Sequence, residues 1–258
     1  MIRLERILLH PVKGLRGHDV IEAVTEARGL AGDRRMMVVD DDGKFVTQRT
    51  HPKMVQVRAR WSQGSVALEH GSRTCTPTVD GDVVEATVWA SVVRAREVPE
   101  GSRFLTDALG FSCRLVRLPD AERRPATSSA ASPGDEVSFA DAFPYLLASS
   151  SSLADLSGRA GVELAMERFR PNFVVSGLAP WAEDDVRTFA IGDASFQNRK
   201  PCDRCSVTTV DPDTAETGKE PLETLARFRK RDGKVYFGVN LVAVRHAVVR
   251  AGDVVRVA

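Results

Sequence analysis

The chain has 258 residues, with 36 lysine and arginine residues against 35 aspartate and glutamate residues, so its formal net charge at pH 7 is +1. A chain this close to neutral has no overall field that attracts nucleic acid or an anionic membrane surface, so we expect neither as a partner. No apolar run approaches the roughly 18 residues that a membrane span needs, and the length favours two packed domains.

The cysteine content indicates a reducing compartment. Four cysteines in 258 residues are too sparse for the disulfide framework of a small secreted domain. The N-terminal segment Met1-Ile-Arg-Leu-Glu5 lacks the apolar core of a signal peptide. We therefore expect a soluble, cytoplasmic protein.

The N-terminal half is predicted to be a series of short strands. Alternating apolar and charged residues predict a first strand over residues 2–9. Further strands are predicted over residues 36–39, 44–47, 55–61, 65–69, 74–78, 83–89 and 92–97, mostly separated by glycine-containing turns. This regular spacing is typical of a small barrel or sandwich. A helix over residues 102–109 that stops at Gly110 and a strand over residues 113–118 complete this half.

The C-terminal half is predicted to contain two helices and several strands. Residues 119–135 include three prolines and no large aliphatic side chain, which predicts a loop or linker. Helices are predicted from about Ser150 and over residues 221–230, and strands over 173–175, 235–244 and 247–257. We predict a mainly β fold with a few helices, divided into domains at residues 1–118 and 119–258.

The side chains best suited to catalysis or ligand binding lie between residues 168 and 205. Cys202 and Cys205 stand in Lys200-Pro-Cys-Asp-Arg-Cys205, where basic neighbours favour a thiolate, which is a nucleophile or a soft metal ligand. Arg168 and Arg170 precede a buried strand, and a guanidinium can bind an anion through two parallel hydrogen bonds. Basic groups beside a thiolate suggest an anionic cofactor.

Other interpretations of these residues stay open on this evidence. A Cys-x-x-Cys pair also occurs in zinc sites and in redox proteins, but the five histidines are scattered and no βαβ context is predicted. We interpret Cys202 as a supporting or packing residue. Taken singly, Lys13, Arg34 and Arg170 are equally typical of solvated or ion-paired side chains. The serines from Ser149 are typical of a helix start, where a hydroxyl can also contact a phosphate.

Seven segments, taken together and in order, resemble the MOSC-domain proteins with an N-terminal MOSC β-barrel, similar to the mitochondrial amidoxime-reducing component and its bacterial relatives. They are His10-Pro-Val-Lys-Gly14, Gly32-Asp-Arg34, Phe45-Val-Thr-Gln-Arg49, Phe169-Arg-Pro-Asn-Phe-Val-Val-Ser-Gly177, Cys202-Asp-Arg-Cys205, Thr208-Thr-Val-Asp-Pro-Asp-Thr214 and Glu220-Pro-Leu-Glu-Thr-Leu225. The resemblance covers nearly the whole chain. It implies an N-terminal MOSC β-barrel domain packed on a MOSC β-barrel domain, with a cofactor between them.

The resemblance also implies a site. The cofactor would be the molybdenum cofactor, a pyranopterin that holds molybdenum, with Cys205 as the metal ligand and catalytic residue. The residues expected to contact the cofactor are Lys13, Arg34, Ser149, Arg170, Asn172, Asp203 and Arg204. Gly14, Asp203 and Asn240 depart from the residues common among relatives, which bears on substrate range.

The implied function is reduction of small N-hydroxylated or N-oxygenated compounds at the cysteine-ligated molybdenum. The clustered cysteines of a ferredoxin domain are missing, so electrons would come from a separate donor protein of the ferredoxin, flavoprotein or cytochrome type. One alternative is a non-catalytic carrier of the molybdenum cofactor or of sulfur held on Cys205. Another is a module whose barrel binds a different anionic ligand.

Overall fold

Two large sheets and two small ones carry most of the chain in the computed structural model, which describes residues 1–258. The strands of the first half are β1 (Arg3–Leu9), β2 (Val12–Lys13), β3 (His18–Val20), β4 (Glu22–Glu26), β5 (Gly29–Leu30), β6 (Met36–Val39), β7 (Arg58–Ser62), β8 (Ser65–His70), β9 (Arg73–Cys75), β10 (Val83–Val88), β11 (Ser91–Glu97) and β12 (Arg114–Arg117). Those of the second half are β13 (Tyr145–Ser149), β14 (Phe173–Ser176), β15 (Thr188–Ile191), β16 (Ala194–Asp203), β17 (Lys230–Arg231), β18 (Lys234–Arg245), β19 (Val248–Arg250) and β20 (Val255–Val257).

Three α-helices accompany the sheets. They are α1 (Pro99–Leu109), α2 (Ser150–Ala160) and α3 (Leu222–Phe228). Gly110 and Gly161 follow α1 and α2 in left-handed conformations that glycine adopts without steric cost, so both helices stop there. No helix has the length and hydropathy that crossing a membrane requires. The predicted fold class, mainly β with a few helices, is confirmed.

The first strand of the chain belongs to the sheet of the second half. The nine-stranded sheet has the order β20-β15-β16-β18-β13-β14-β1-β3, with β17 added beside β18. Within it, β1 pairs antiparallel with β14, and β13 pairs parallel with β14. The strand β4 likewise pairs with β19, near the C-terminus. The two halves are therefore joined by backbone hydrogen bonds, and the boundary at residues 118 and 119 stays a prediction.

The remaining strands of the first half form a separate core. A five-stranded sheet has the order β10-β11-β12-β6-β2, and a three-stranded sheet has the order β7-β8-β9. Apolar side chains of both sheets and of α1, including Val38, Ala59, Leu105 and Leu115, pack into one buried cluster. A second buried cluster, with Ile7, Phe173, Phe196 and Val239, lies on the nine-stranded sheet.

Several predicted bounds are wrong for local reasons. Residues 44–47 form only isolated bridges, because Phe45 N–H donates to the Thr87 carbonyl oxygen at 3.0 Å while Val46 N–H donates to Val38 at 2.9 Å. The strand predicted from residue 55 begins at Arg58, since residues 52–56 form a 3-10 turn with proline at its start. Helix α1 begins at Pro99 rather than at residue 102, and Pro is favoured in a first turn. The linker at residues 119–135 contains no helix or strand, as predicted.

Tyr145 ties β13 to the end of β4. Its side chain is 1% exposed, and its ring lies 5.7 Å from that of Phe173 and 5.2 Å from that of Phe196. The phenol donates to the Glu26 carbonyl oxygen at 2.5 Å and accepts from the Glu26 N–H at 2.9 Å. Burial raises the pKa of Tyr145, so the phenol stays protonated and able to donate.

We predict that Tyr145→Phe lowers the free energy of unfolding by about 1–3 kcal/mol, because it removes both hydrogen bonds of a buried hydroxyl. Urea unfolding followed by tryptophan fluorescence measures the change. Tyr236→Phe is the matched control, since this half-buried ring packs on the Arg231 guanidinium at 5.1 Å and its hydroxyl has no partner in the protein. Equal stabilities of the two variants would contradict the prediction.

Candidate functional site

A cavity of about 300 Å³ lies where the two halves of the chain meet. Its lining comes from the ends of β2 and β16, from the turn after β10 and from the segments at residues 45–49, 140–146 and 169–172. Seven of the eight side chains predicted from the sequence line it, and they are Lys13, Arg34, Arg170, Asn172, Asp203, Arg204 and Cys205. The fold therefore gathers groups that are widely separated along the chain.

Cys205 lies at the end of the β16 segment and begins the 3-10 turn at residues 206–209. Its carbonyl oxygen accepts hydrogen bonds from the Thr208 N–H at 3.1 Å and from the Thr208 hydroxyl at 2.9 Å. The half-buried sulfur lies 3.3 Å from Nη2 of Arg49, which donates to it. The turn thus holds the backbone while a cation from the first half of the chain faces the sulfur.

Cys202 also lines the cavity but has a different environment. Arg204 Nη1 donates to the Cys202 sulfur at 3.0 Å, and Arg204 Nη2 donates to the Phe169 carbonyl oxygen at 2.7 Å. The two thiols therefore contact different guanidinium groups. Cys202 thus contacts Arg204, and its interpretation as a supporting or packing residue stays a prediction.

Three arginines crowd one wall of the cavity with few acidic partners. Arg170 follows a 3-10 turn in a left-handed conformation with φ 56° and donates through Nη1 to the Leu15 carbonyl oxygen at 2.6 Å. Its Nη2 is buried without a partner, as is Nε of Arg204. Burial and the neighbouring Arg34 lower the pKa of Arg170 to about 9, so the group stays charged at neutral pH. Buried donors without partners mark a place where an anion would be bound.

Asn172 positions this wall rather than extending into the cavity. Its side chain is 1% exposed, accepts through Oδ1 from the Leu146 N–H and from Arg34 Nη1, each at 3.2 Å, and donates through Nδ2 to the Leu8 carbonyl oxygen at 3.3 Å. Arg34 Nη2 in turn donates to the Arg170 carbonyl oxygen at 2.9 Å. All these partners are protein groups, so the amide holds β1, β13 and Arg34 in register.

Lys13 and Asp141 form an ion pair in the lining of the cavity. Lys13 Nζ donates to the Phe139 carbonyl oxygen at 2.9 Å as well as to the Asp141 carboxylate. Burial lowers the pKa of Lys13. Burial also opposes ionisation of Asp141, but Lys13 and the Trp89 indole N–H outweigh it and hold the pKa of Asp141 below its usual range. Lys13 therefore already has a counter-ion in the Asp141 carboxylate.

Asp203 lies between two lysines. Lys200 Nζ lies 3.0 Å and Lys234 Nζ 3.4 Å from its carboxylate oxygens. Burial alone would raise the pKa of Asp203, but these two cations lower it below its usual value. Its carboxylate thus serves first to neutralise basic groups at the cavity edge.

Ser149 is the predicted residue that does not reach the cavity. It is buried at the junction of β13 and α2, and its hydroxyl lies 2.7 Å from the Ser151 hydroxyl. Ser151 donates to the Leu178 carbonyl oxygen at 2.7 Å. The serine cluster therefore serves the start of α2, and the geometry gives Ser149 no contact with the cavity.

A cluster of aromatic and charged side chains at the opening of the cavity was not predicted from the sequence. Trp89 follows β10 with φ 55°, which is unusual for a bulky side chain and is typical of a strained functional position. Its ring lies 4.9 Å from Phe45 and 5.0 Å from the Arg49 guanidinium, and its N–H donates to Asp141 at 2.9 Å. Phe45 and Arg49 stood inside a recognised segment, but Trp89 and Asp141 had no signal in the sequence.

Comparison with known proteins identifies the class. A model of the MOSC N-terminal beta barrel domain matches residues 1–112, and a model of the MOSC domain matches residues 134–256. The chain belongs to the family of MOSC-domain proteins that carry the MOSC N-terminal β-barrel, which confirms the resemblance drawn from the seven segments.

Two kinds of named relative are similar to this chain over most of its length. Mitochondrial amidoxime-reducing component 1 is 31% identical in Mus musculus and 32% identical in Homo sapiens, each match covering 96% of this chain and 80% of the relative. Molybdenum cofactor sulfurase of Arabidopsis thaliana is 30% identical over 92% of this chain, which spans 32% of that much longer protein.

His10 lies behind the arginine wall and is 2% exposed. Its Nε2 lies 3.1 Å from the Pro171 carbonyl oxygen, and its backbone N–H donates to Asp33 at 2.7 Å. Burial, followed by the charges of Arg170 and Arg34, lowers the pKa of His10 well below 6.5. The ring is therefore neutral in the folded protein at pH values where an unfolded histidine is already protonated.

We predict that this histidine makes folding less stable as the pH falls below about 6.5, because the unfolded chain then binds a proton that the folded protein does not. His10→Asn, which can still donate to the Pro171 carbonyl oxygen, removes this contribution. Between pH 6.5 and 5, wild type should lose up to about 1.4 kcal/mol per pH unit more than the variant. Urea unfolding across this range measures it, and parallel pH profiles would refute it.

Proposed function

We propose that the protein binds a molybdenum cofactor in the cavity between its two halves and reduces N-hydroxylated or N-oxygenated compounds. One observation supports this most directly. The thiol of Cys205 lines the same cavity as the buried, unpartnered donors of Arg170 and Arg204. A soft sulfur ligand beside cationic donors suits a metal held by an anionic organic group. The relatives named amidoxime-reducing component point to the same chemistry.

The residues present fit such a group. Arg204 Nε is free to donate to the pterin or its phosphate, and the charged groups of Arg34 and Arg170 line the same cavity. Cys205 would be the ligand to molybdenum. Lys13 would contribute positive charge while remaining paired with Asp141. Once bound, the cofactor supplies the two-electron redox chemistry, which no side chain of this cavity provides by itself.

The protein itself would hold and orient the cofactor and partly enclose the substrate. The turn at residues 206–209 fixes Cys205, and Arg49 places a positive charge beside its sulfur. Trp89 and Phe45 offer an aromatic wall at the opening against which a planar substrate group would pack. For an amidoxime, the overall reaction consumes two electrons and two protons and yields an amidine and water.

A separate donor protein of the ferredoxin, flavoprotein or cytochrome type would deliver the electrons, since the four cysteines of the chain are all free thiols and include no cluster typical of an iron–sulfur site. We also propose that the protein is located in the cytoplasm, as its cysteine content predicts. The donor would need to reach the opening near Arg49 and Trp89, both of which are exposed.

A second candidate is a carrier of the cofactor or of sulfur on Cys205. The similarity to molybdenum cofactor sulfurase over 92% of the chain favours it. The same cavity would then hold the cofactor without turning over a substrate. Cofactor binding is common to both candidates, whereas reductive turnover belongs only to the enzyme.

We predict that Cys205→Ala lowers the molybdenum content at least tenfold, because it removes the thiol that would ligate the metal. The protein is purified from a host that makes the cofactor, and metal is measured by mass spectrometry. Cys202→Ala is the matched control and should retain close to the wild-type content, near one molybdenum per chain. Equal molybdenum in both variants would exclude Cys205 as the ligand.

We also expect the molybdenum-loaded protein to reduce an amidoxime with a reduced viologen dye as electron source. Formation of the amidine, followed by chromatography, should continue over many turnovers in wild type and in Cys202→Ala, and should be lost in Cys205→Ala. A loaded protein that binds molybdenum but shows no turnover with a panel of N-hydroxylated compounds would favour the carrier.

A further inference from the structure

A second cavity, of about 220 Å³, lies behind the arginine wall and shares Arg170 with the first. It is bounded by residues from both halves of the chain, among them His10, Arg16, Arg58, Glu167 and Pro212. Only two of its twelve lining residues, Leu8 and Val55, are apolar. Such a lining suits a small polar ligand and argues against an apolar one.

The charges around this cavity leave an excess of positive groups. Four arginines line it against two carboxylates, Asp19 and Glu167. Both carboxylates are bound by Arg6, which does not line the cavity. Arg6 therefore offsets one of these two negative charges from outside the cavity.

Two of the four arginines have no acidic partner. Arg16 donates to Asp213 at 2.8 Å, and Arg60 donates to Glu69 at 2.8 Å. Arg58 and Arg170 have no carboxylate within ion-pairing distance. Arg58 is half-buried on β7, next to Arg16 through a backbone bridge. Two guanidinium groups without counter-ions in one enclosed space favour a bound anion.

Two buried polar atoms beside the cavity also lack a hydrogen-bond partner. One is Nη2 of Arg170, a donor, and the other is Nδ1 of His10. Because His10 Nε2 faces the Pro171 carbonyl oxygen, Nε2 carries the proton, and Nδ1 is an acceptor in the neutral ring. Gly17 packs against the His10 ring without a side chain, since a Cβ there would lie 2.4 Å from Nδ1. A matching ligand must therefore accept from arginine and donate to histidine.

We propose that this second cavity is a site for a hydrogenphosphate-class oxyanion. Its unprotonated oxygens would accept from Arg58 and from Arg170 Nη2, and its hydroxyl would donate to Nδ1 of His10. Sulfate has the same charge and shape at neutral pH but no hydrogen to donate, so it would leave Nδ1 unpaired and bind more weakly. The site is distinct from the cofactor cavity and does not depend on the function proposed for it.

Titration calorimetry with inorganic phosphate, on the protein carrying its cofactor at constant ionic strength and pH 7.5, tests the proposal. We expect saturable binding of one phosphate per chain, at least tenfold weaker binding of sulfate, and at least tenfold weaker phosphate binding in Arg58→Gln. Arg94→Gln is the matched control, because Arg94 is an exposed arginine on β11 without an ion pair. It should bind phosphate as wild type does.

Other outcomes would overturn the proposal. If phosphate binding is lost in Lys13→Gln but kept in Arg58→Gln, the ion lies in the cofactor cavity. Equal affinities for phosphate and sulfate would exclude a role for His10 in binding. The absence of saturable binding would exclude the site itself.

A second readout needs no arginine variant. In protein labelled with nitrogen-15 histidine, phosphate but not sulfate should shift the Nδ1 resonance of His10, identified by its absence in His10→Asn. An unchanged resonance at saturating phosphate would contradict the proposed contact even if Arg58→Gln failed to fold.

Discussion

The side-chain amide of Asn172 is the contact on which the arrangement of the cavity depends. It joins three parts of the chain, because it donates to Leu8 in β1 and accepts from Leu146 in β13 and from Arg34. Its backbone repeats the link, since its N–H donates to the Leu146 carbonyl oxygen at 2.8 Å and its carbonyl oxygen accepts from the Leu8 N–H at 2.9 Å. A fully satisfied buried amide fixes a unique geometry, and here it fixes where Arg34 and Arg170 lie.

The cavity concentrates positive charge in a chain that is almost neutral overall. Arg34, Arg170 and Arg204 approach one another at the base, and burial and mutual repulsion lower the pKa of Arg170. Such a cluster is unfavourable by itself. It persists because backbone carbonyls of Leu15, Phe169 and Arg170 accept from these guanidinium groups, while a few donors stay unpaired. Those unpaired donors are what make the cavity, and the smaller one behind it, suited to anions.

Both halves of the chain contribute to the lining of the cavity. Trp89 and Arg49 come from connections of the N-terminal strands, and Cys205 follows the long strand β16. Packing of the two halves therefore completes the site. Two sheets shared by both halves hold this packing, because β1 and β4 pair with strands that come later in the chain.

The sequence by itself determined the fold class, most strands, the end of α1, the start of α2 and seven residues of the cavity. The fold class and these elements follow from local physics, namely the alternation of apolar and charged residues and glycine after a helix, whereas the cavity residues followed from the resemblance of seven segments to the family. The tertiary structure alone decided that β1 joins the far sheet, that Ser149 turns away from the cavity and that Trp89, Asp141 and Arg49 surround its opening. Those contacts join residues far apart in the chain, so no local pattern encodes them, and only the packing of the two halves brings them together.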